Sequence, residues 1–157
     1  VLRRDDVKEL FQRQAVISPV ELESRYEVYS EQYTLAVEVE AKVALSIART
    51  QISPAVQKHL GSLARSISQL QTVGLNPDQR TLQYTAELQQ RMQDQVNALD
   101  DELHQLHHGD TTASMNHAAN VLLPRLLQLR DVVDALEGLV DDDRWPLPSY
   151  REMLFVS

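Results

Sequence analysis

The chain has no cysteine, and its 157 residues include only four glycines, two phenylalanines and one tryptophan. Without cysteine, a secreted disulfide framework and a thiol nucleophile are both excluded. Aromatic content of 5% with so little glycine disfavours a sheet protein, and 43% hydrophobic against 24% charged residues is the balance of a helical globular chain. Apolar runs are never more than a few residues long, and no charged segment leads into an apolar stretch. Neither a membrane span nor a signal peptide is therefore expected, and the reading is cytoplasmic. Basic residues are also scarce, 15 against 23 acidic, and a net charge of -8 argues against nucleic acid as the main partner. No glycine-rich phosphate loop, GxSxG elbow or GxGxxG is present, so no recognised mechanism binds ATP or hosts a nucleophile. The start at Val1 suggests a fragment or a processed product.

What the chain does have is helix punctuation. Asp5 or Asp6 can cap a short helix over 6–15. "SPVE" puts Ser18 at an N-cap, Pro19 at the first helical position and Glu21 three residues on, a capping box. The seam predicted from there runs Leu22, Tyr26, Tyr29, Tyr33, Ala36, Glu40, Val43 and Ile47. Past Pro54 the phase changes to Val56, Leu60, Leu63, Ile67 and Leu70, so the helix is expected to kink or restart there. Gly74 ends it, and Asn76 with Pro77 opens a second long helix whose seam is Leu82, Thr85, Gln89, Met92, Val96, Leu99, Leu103 and Leu106. Gly109 and Asp110 separate it from a third, with Met115, Ala119, Leu122, Leu126, Leu129, Val133, Leu136 and Val140.

Segments 19–52, 77–108 and 111–140 would each span roughly 45–50 Å at 1.5 Å per residue, and short turns join them. The predicted fold is all-α: one domain over 1–157, an elongated up-and-down antiparallel bundle of three long helices. The first is kinked near Pro54 and continues as 55–72, with short helices at both ends and a docked tail over 145–157. Charge supports antiparallel packing. Between Ala41 and Pro77 there is no acid while Lys42, Arg49, Lys58 and Arg65 occur, and the following helix carries Asp78, Glu87, Asp94, Asp100, Asp101 and Glu102.

Sites with chemistry are few. In "DDELHQLHHGD", His104 and His108 are four apart with His107 beside them, a spacing that can hold a transition metal. Cationic groups also favour a helix C-terminus for electrostatic reasons, and no HExxH pattern accompanies them, so a role at the helix end is the favoured reading. Glu40 falls in the predicted seam and reads as a buried polar residue that needs a structural partner. Tyr26, Tyr29 and Tyr33 read as core with their hydroxyls at the edge. Asp141, Asp142 and Asp143 stand at a helix C-terminus, where negative charge is unfavourable, and Arg144 can offset part of it.

The ending "DDDRWPLPSYREMLFVS" combines two prolines that force an extended path with a second capping box, Ser149 to Glu152, opening a last helix that presents Tyr150, Met153, Leu154 and Phe155. Trp145, Pro146, Pro148, Tyr150, Leu154 and Phe155 are the expected docking residues, because such a segment left exposed invites aggregation. This tail, together with "ELESRYEVYSEQYTLAVEVEA" at 21–41 and "ARTQISPA" at 48–55, resembles the C-terminal region of type III glutamine synthetases.

The resemblance implies the C-terminal domain of a large cytoplasmic ligase that joins ammonia to glutamate with ATP and Mg or Mn, in a homo-oligomer of hexameric rings. It implies no catalytic, cofactor-binding or metal residue within this chain, since those motifs belong to preceding domains. The expected role is then structural, in assembly, or regulatory, with the catalytic domains of the same protein as partners and neither nucleic acid nor membrane. The alternative is an independent helical-bundle sensor or partner-binding module with a portable docking tail. A metal-dependent bundle enzyme would call for Glu-x-x-His motifs, and none occurs.

Overall fold

Ser18 opens the longest helix as its sequence requires. In the computed structural model, which describes residues 4–106 and 109–148, the Ser18 Oγ accepts from the Glu21 N–H at 3.2 Å and the Glu21 carboxylate accepts from the Ser18 N–H at 2.9 Å. From that cap α2 runs Pro19–Ile47, followed by a π-helical turn Ala48–Ile52 and then α3, Ser53–Thr72. There is no break between them. The expected kink at Pro54 is instead a widened turn: the Ser53 N–H reaches back five residues to the Ala48 carbonyl, which makes room for a proline that has no N–H and whose ring would crowd a regular turn. The helix therefore extends over 19–72, about 80 Å at 1.5 Å per residue, longer than its two partners.

Gly74 ends it as predicted. At φ +83 it lets the Leu75 N–H bond the Leu70 carbonyl and its own N–H bond the Gln71 carbonyl, closing the helix with a left-handed residue. The next helix, α4, begins at Arg80 rather than Pro77 and ends at His104. Asn76 is not its cap; Asp78 accepts from the Arg80 N–H at 2.9 Å and from its side chain. Asp110 caps α5, Thr111–His117, by accepting from the N–H groups of Thr112 and Ala113. A second π-helical turn, Ala118–Leu122, leads into α6, Leu123–Glu137. It repeats the first in detail, with the Leu123 N–H bonded to the Ala118 carbonyl and Pro124 following at once. Beyond α6 the chain holds one more turn, Val140 N–H to Leu136 carbonyl, so Val140 stays buried although the helix ends three residues earlier than expected.

At the N-terminus α1 covers Asp5–Arg13, shorter than 6–15, and Asp5 and Asp6 occupy its first turn with Arg4 at the N-cap position. At the other end a 3-10 turn, Asp142–Arg144, is the last described element. The helix expected after Ser149 lies outside the described residues. No strand occurs among those described, and the fold is all-α.

The three long segments run up, down and up. Gln89 donates to Ser53 Oγ at 2.9 Å and Arg49 bonds Asp100 at 2.6 Å, so α4 is antiparallel to α2–α3. Ser114 and Thr34 line one small cavity while Arg144 reaches the Lys58 carbonyl, so the α5–α6 segment runs parallel to the long helix. The core is built of Val37, Ala41, Leu45, Ala48, Ile52 and Val56 from the long helix. Against them stand Leu88, Met92, Val96 and Leu99 from α4, and Ala118, Leu122, Leu129, Val132 and Leu136 from the third segment. The α4 seam is the predicted one, except that Leu88 is buried where Gln89 was expected. The α2 seam starts as predicted with Leu22 buried and Tyr26 half-buried, then departs: Tyr29, Tyr33 and Val43 are exposed, as are Ala36 and Glu40, Ile47 is half-buried, and the buried positions are Leu22, Ser30, Thr34, Val37, Ala41 and Leu45.

Candidate interaction surfaces

Where the third segment ends, the chain is fastened to the long helix by Arg144. Its guanidinium donates to the Lys58 carbonyl at 3.1 Å and to Ser62 Oγ at 3.3 Å, while its Nε lies 3.1 Å from the Asp141 carboxylate. Asp141 in turn lies 3.5 Å from Nδ1 of His59, a residue 4% exposed whose ring nitrogens make no hydrogen bond among the described residues. The acidic run thus divides in function. Asp141 faces His59 and Arg144, and Asp142 and Asp143 stay exposed. Trp145 and Leu147 pack against the core, whereas Pro146 and Pro148 are exposed. Tyr150, Leu154 and Phe155 lie outside the described residues, and so does His108.

Beside Leu147 an open groove of about 400 Å³ separates the long helix from α6. Ala44, Ile47 and Ile52 form one wall, and Leu126, Leu127 and Val133 form the other. Glu40, Arg130 and Asp134 are also part of its lining, with Arg130 3.6 Å from Asp134. Glu40 is therefore not the buried charge expected from its seam position. A one-residue error of phase turns a helix by about 100°, and the buried line passes through Val37 and Ala41 instead.

A second apolar surface lies along the exposed side of α2: Val28, Leu35, Val39 and Val43 are 46%, 52%, 58% and 51% exposed, with Leu35 at its edge, where it also lines the small cavity against Thr111 and Ser114 of α5. Val39 stands two residues from both Val37 and Ala41, about 200° around the helix, so it lies opposite the buried line. Over this stretch α2 is apolar on two sides, the pattern of a helix covered on two sides. The spacing of seven, four and four from Val28 to Val43 was available in the sequence as a signal.

Around the junction of α4 and α5 the histidines are engaged structurally. His104 is exposed and its Nδ1–H donates to the Asp100 carbonyl at 2.7 Å, at the C-terminus of α4. His117 is held 3.1 Å from the Glu102 carbonyl and 3.6 Å from its carboxylate, joining α5 to the end of α4. The hydrogen bond from Arg49 holds the Asp100 carboxyl below the usual carboxylate range, and bonds from the Ser18 backbone and hydroxyl do the same for Glu21. Among the described residues, no group of three or more His, Asp or Glu is arranged to hold a metal ion. No helix among them is long and apolar enough to cross a membrane.

Comparison with known proteins bears on these surfaces. The family model described as the glutamine synthetase C-terminal domain matches residues 1–71, the part that contains α1, α2 and nearly all of α3. The type-3 glutamine synthetase of Dictyostelium discoideum is 27% identical over 156 residues, covering 94% of this chain and 21% of that protein. A glutamine synthetase of Bacteroides fragilis (strain YCH46) is 27% identical over 151 residues, covering 89% of this chain and 20% of that protein. The chain spans about a fifth of the length of the curated relatives it matches. The resemblance to the C-terminal domain of type III glutamine synthetase is therefore shown, carried by the domain match over residues 1–71 and by two synthetases that align with nearly the whole chain.

Proposed function

We propose that this chain is a non-catalytic structural and assembly domain of a type III glutamine synthetase, a cytoplasmic homo-oligomer that ligates ammonia to glutamate with ATP and Mg or Mn. ATP, metal and glutamate are held by the other domains of that protein, and this bundle packs against them. The observation that carries the reading is the outward stripe Val28, Leu35, Val39 and Val43.

Magnitudes indicate what covers it. Each side chain is about half exposed, and full burial of a Val or Leu is worth about 1.5–3 kcal/mol, so covering the stripe supplies about 3–6 kcal/mol. Association of separate molecules costs an estimated 4–15 kcal/mol or more in lost freedom. The stripe is too small to hold a separate partner alone. It is large enough when the partner belongs to the same polypeptide, because covalent linkage removes most of that cost.

Expression of the full-length protein from its gene, beside the 157-residue chain, tests the assignment. The full-length protein is expected to form glutamine from glutamate, ammonia and ATP, and the chain alone to form none. Glutamine synthesis by the chain alone, or a gene without synthetase sequence upstream of Val1, would overturn the proposal.

A further inference from the structure

We propose that segment 141–147 is a strap that opens and closes as a unit on the folded bundle, covering His59 when closed and uncovering it when open. Its fastenings are few and close together. Arg144 donates to the Lys58 carbonyl at 3.1 Å and to Ser62 Oγ at 3.3 Å, one residue before His59 and three after it. Asp141, 3.5 Å from Nδ1 of the same histidine, is tied to Arg144 at 3.1 Å. The Arg144 N–H bonds the Asp141 carbonyl at 2.9 Å and the Trp145 N–H bonds it at 3.1 Å, so the segment is a turn held together by its own bonds. Val140, just before it, is buried, whereas Asp141, Asp142, Asp143 and Pro146 are exposed and Arg144, Trp145 and Leu147 are only half-buried. The core beside it contains Met92, Leu99, Leu122 and Leu136 at 0% exposure. A segment that buries so little, next to a core that buries so much, opens at a lower free energy than the whole fold.

The closed position also leaves polar groups unmet. His59 is 4% exposed, and among the described residues neither of its ring nitrogens makes a hydrogen bond. The indole N–H of Trp145 is buried and makes none there either. A buried donor or acceptor without a partner loses the bonds that water would give it, so these three groups favour opening. Against them stand the bonds of Arg144 and the packing of Trp145 and Leu147 on the core. The strap is thus an element with two positions rather than a fixed end of the third segment. Opening also withdraws Leu147 from the lining of the groove between the long helix and α6, so access to that groove follows the strap.

The chain has no cysteine and one tryptophan, so a single introduced thiol and a single indole report on the strap. His59→Cys places a thiol beneath it, and Val56→Cys places one in the core at 0% exposure, three residues earlier on the same helix. With a thiol-reactive dye in the absence of denaturant, His59→Cys is expected to be labelled severalfold faster than Val56→Cys. Adding Arg144→Ala is expected to speed the first severalfold and to leave the second unchanged. Equal rates at the two positions, or a rate at position 59 that Arg144→Ala leaves unchanged, would overturn the proposal. Acrylamide quenching of Trp145 follows the same motion without a thiol. At unchanged helical circular dichroism it is expected to rise in Arg144→Ala and to fall in His59→Leu, which removes the unmet ring nitrogens and keeps an apolar side chain in their place. Quenching that rises in His59→Leu would make the histidine a fastener of the strap, and quenching that does not change would show that its nitrogens do not favour opening; either would overturn the proposal. None of these outcomes depends on glutamine synthesis, so failure here and failure of the functional assignment are separable.

Discussion

Asp100 shows how a single residue couples the bundle to pH. Its carboxylate accepts a 2.6 Å hydrogen bond from Arg49, which keeps its affinity for a proton lower in the folded chain than in the unfolded one. The unfolded state therefore takes up the proton first, at about pH 3.9. Stability from this pair is fully present above that value and is lost as the pH falls through the lower, folded value. The pair is partly exposed, so its worth is about 0.2–1 kcal/mol. In thermal melts between pH 6 and pH 2, Asp100→Asn is expected to lower the melting temperature slightly at pH 6 and to converge on the unsubstituted chain at the acid end. A difference that grows toward low pH would contradict this. The pair was legible in the sequence, as an acid-free stretch followed by an acid-rich helix. His59 was not, because a histidine in an apolar seam carries no mark of the aspartate 82 residues later that the fold sets 3.5 Å away. Arg144 could be expected to offset the acidic run, but its bonds to Lys58 and Ser62 depend on where the third segment ends.

At the scale of elements, the two π-helical turns govern which residues face the core. Each is five residues long and precedes an X-Pro pair, Ser53-Pro54 and Leu123-Pro124, and each is closed by an N–H bonded five residues back. A π turn takes up one more residue than an α turn and so resets the phase of everything after it. Deleting Gln51, which is exposed, together with Pro54→Ala is expected to turn this stretch into regular α-helix with Val56 and His59 still facing inward. Deleting Val43, also exposed but within regular helix, rotates the rest of the long helix by about 100° against its partners. Circular dichroism melts should show a cooperative transition near that of the unsubstituted chain for the first and none for the second. Equal tolerance of the two deletions would show that the π turn does not set the register. The proline at 54 announced an interruption in the sequence, but a kink, a restart and a widened turn leave the same hydrophobic pattern. The one-residue slip in α2 has its own cause. Its buried line includes Ser30, Thr34 and Ala41, which give a weak hydrophobic signal, while the tyrosines and valines on its other faces give a strong one. Periodicity therefore had two phases to choose from on α2, and one on α4.

Taken whole, the described residues form a helical bundle with two apolar surfaces exposed among them, a groove between the long helix and α6 beside Leu147 and a stripe along α2. The composition and capping signals were enough to read an all-α fold, and the tail with residues 21–41 and 48–55 carried the resemblance to the family. The stripe became visible only when the fold showed which side of α2 the core uses. The chain aligns with about a fifth of the length of the two synthetases, at 27% identity. The most direct measurement is the double substitution Val39→Glu and Val43→Glu, made both in the 157-residue chain and in the full-length protein. Both positions are more than half exposed, so the melting temperature of the chain alone should barely change, surface substitutions typically falling within about 0.5 kcal/mol. The melting temperature and glutamine synthesis of the full-length protein should both fall sharply. A full-length variant that keeps its melting temperature and its activity would contradict the assignment of this stripe, and with it the account of the chain as a packing domain.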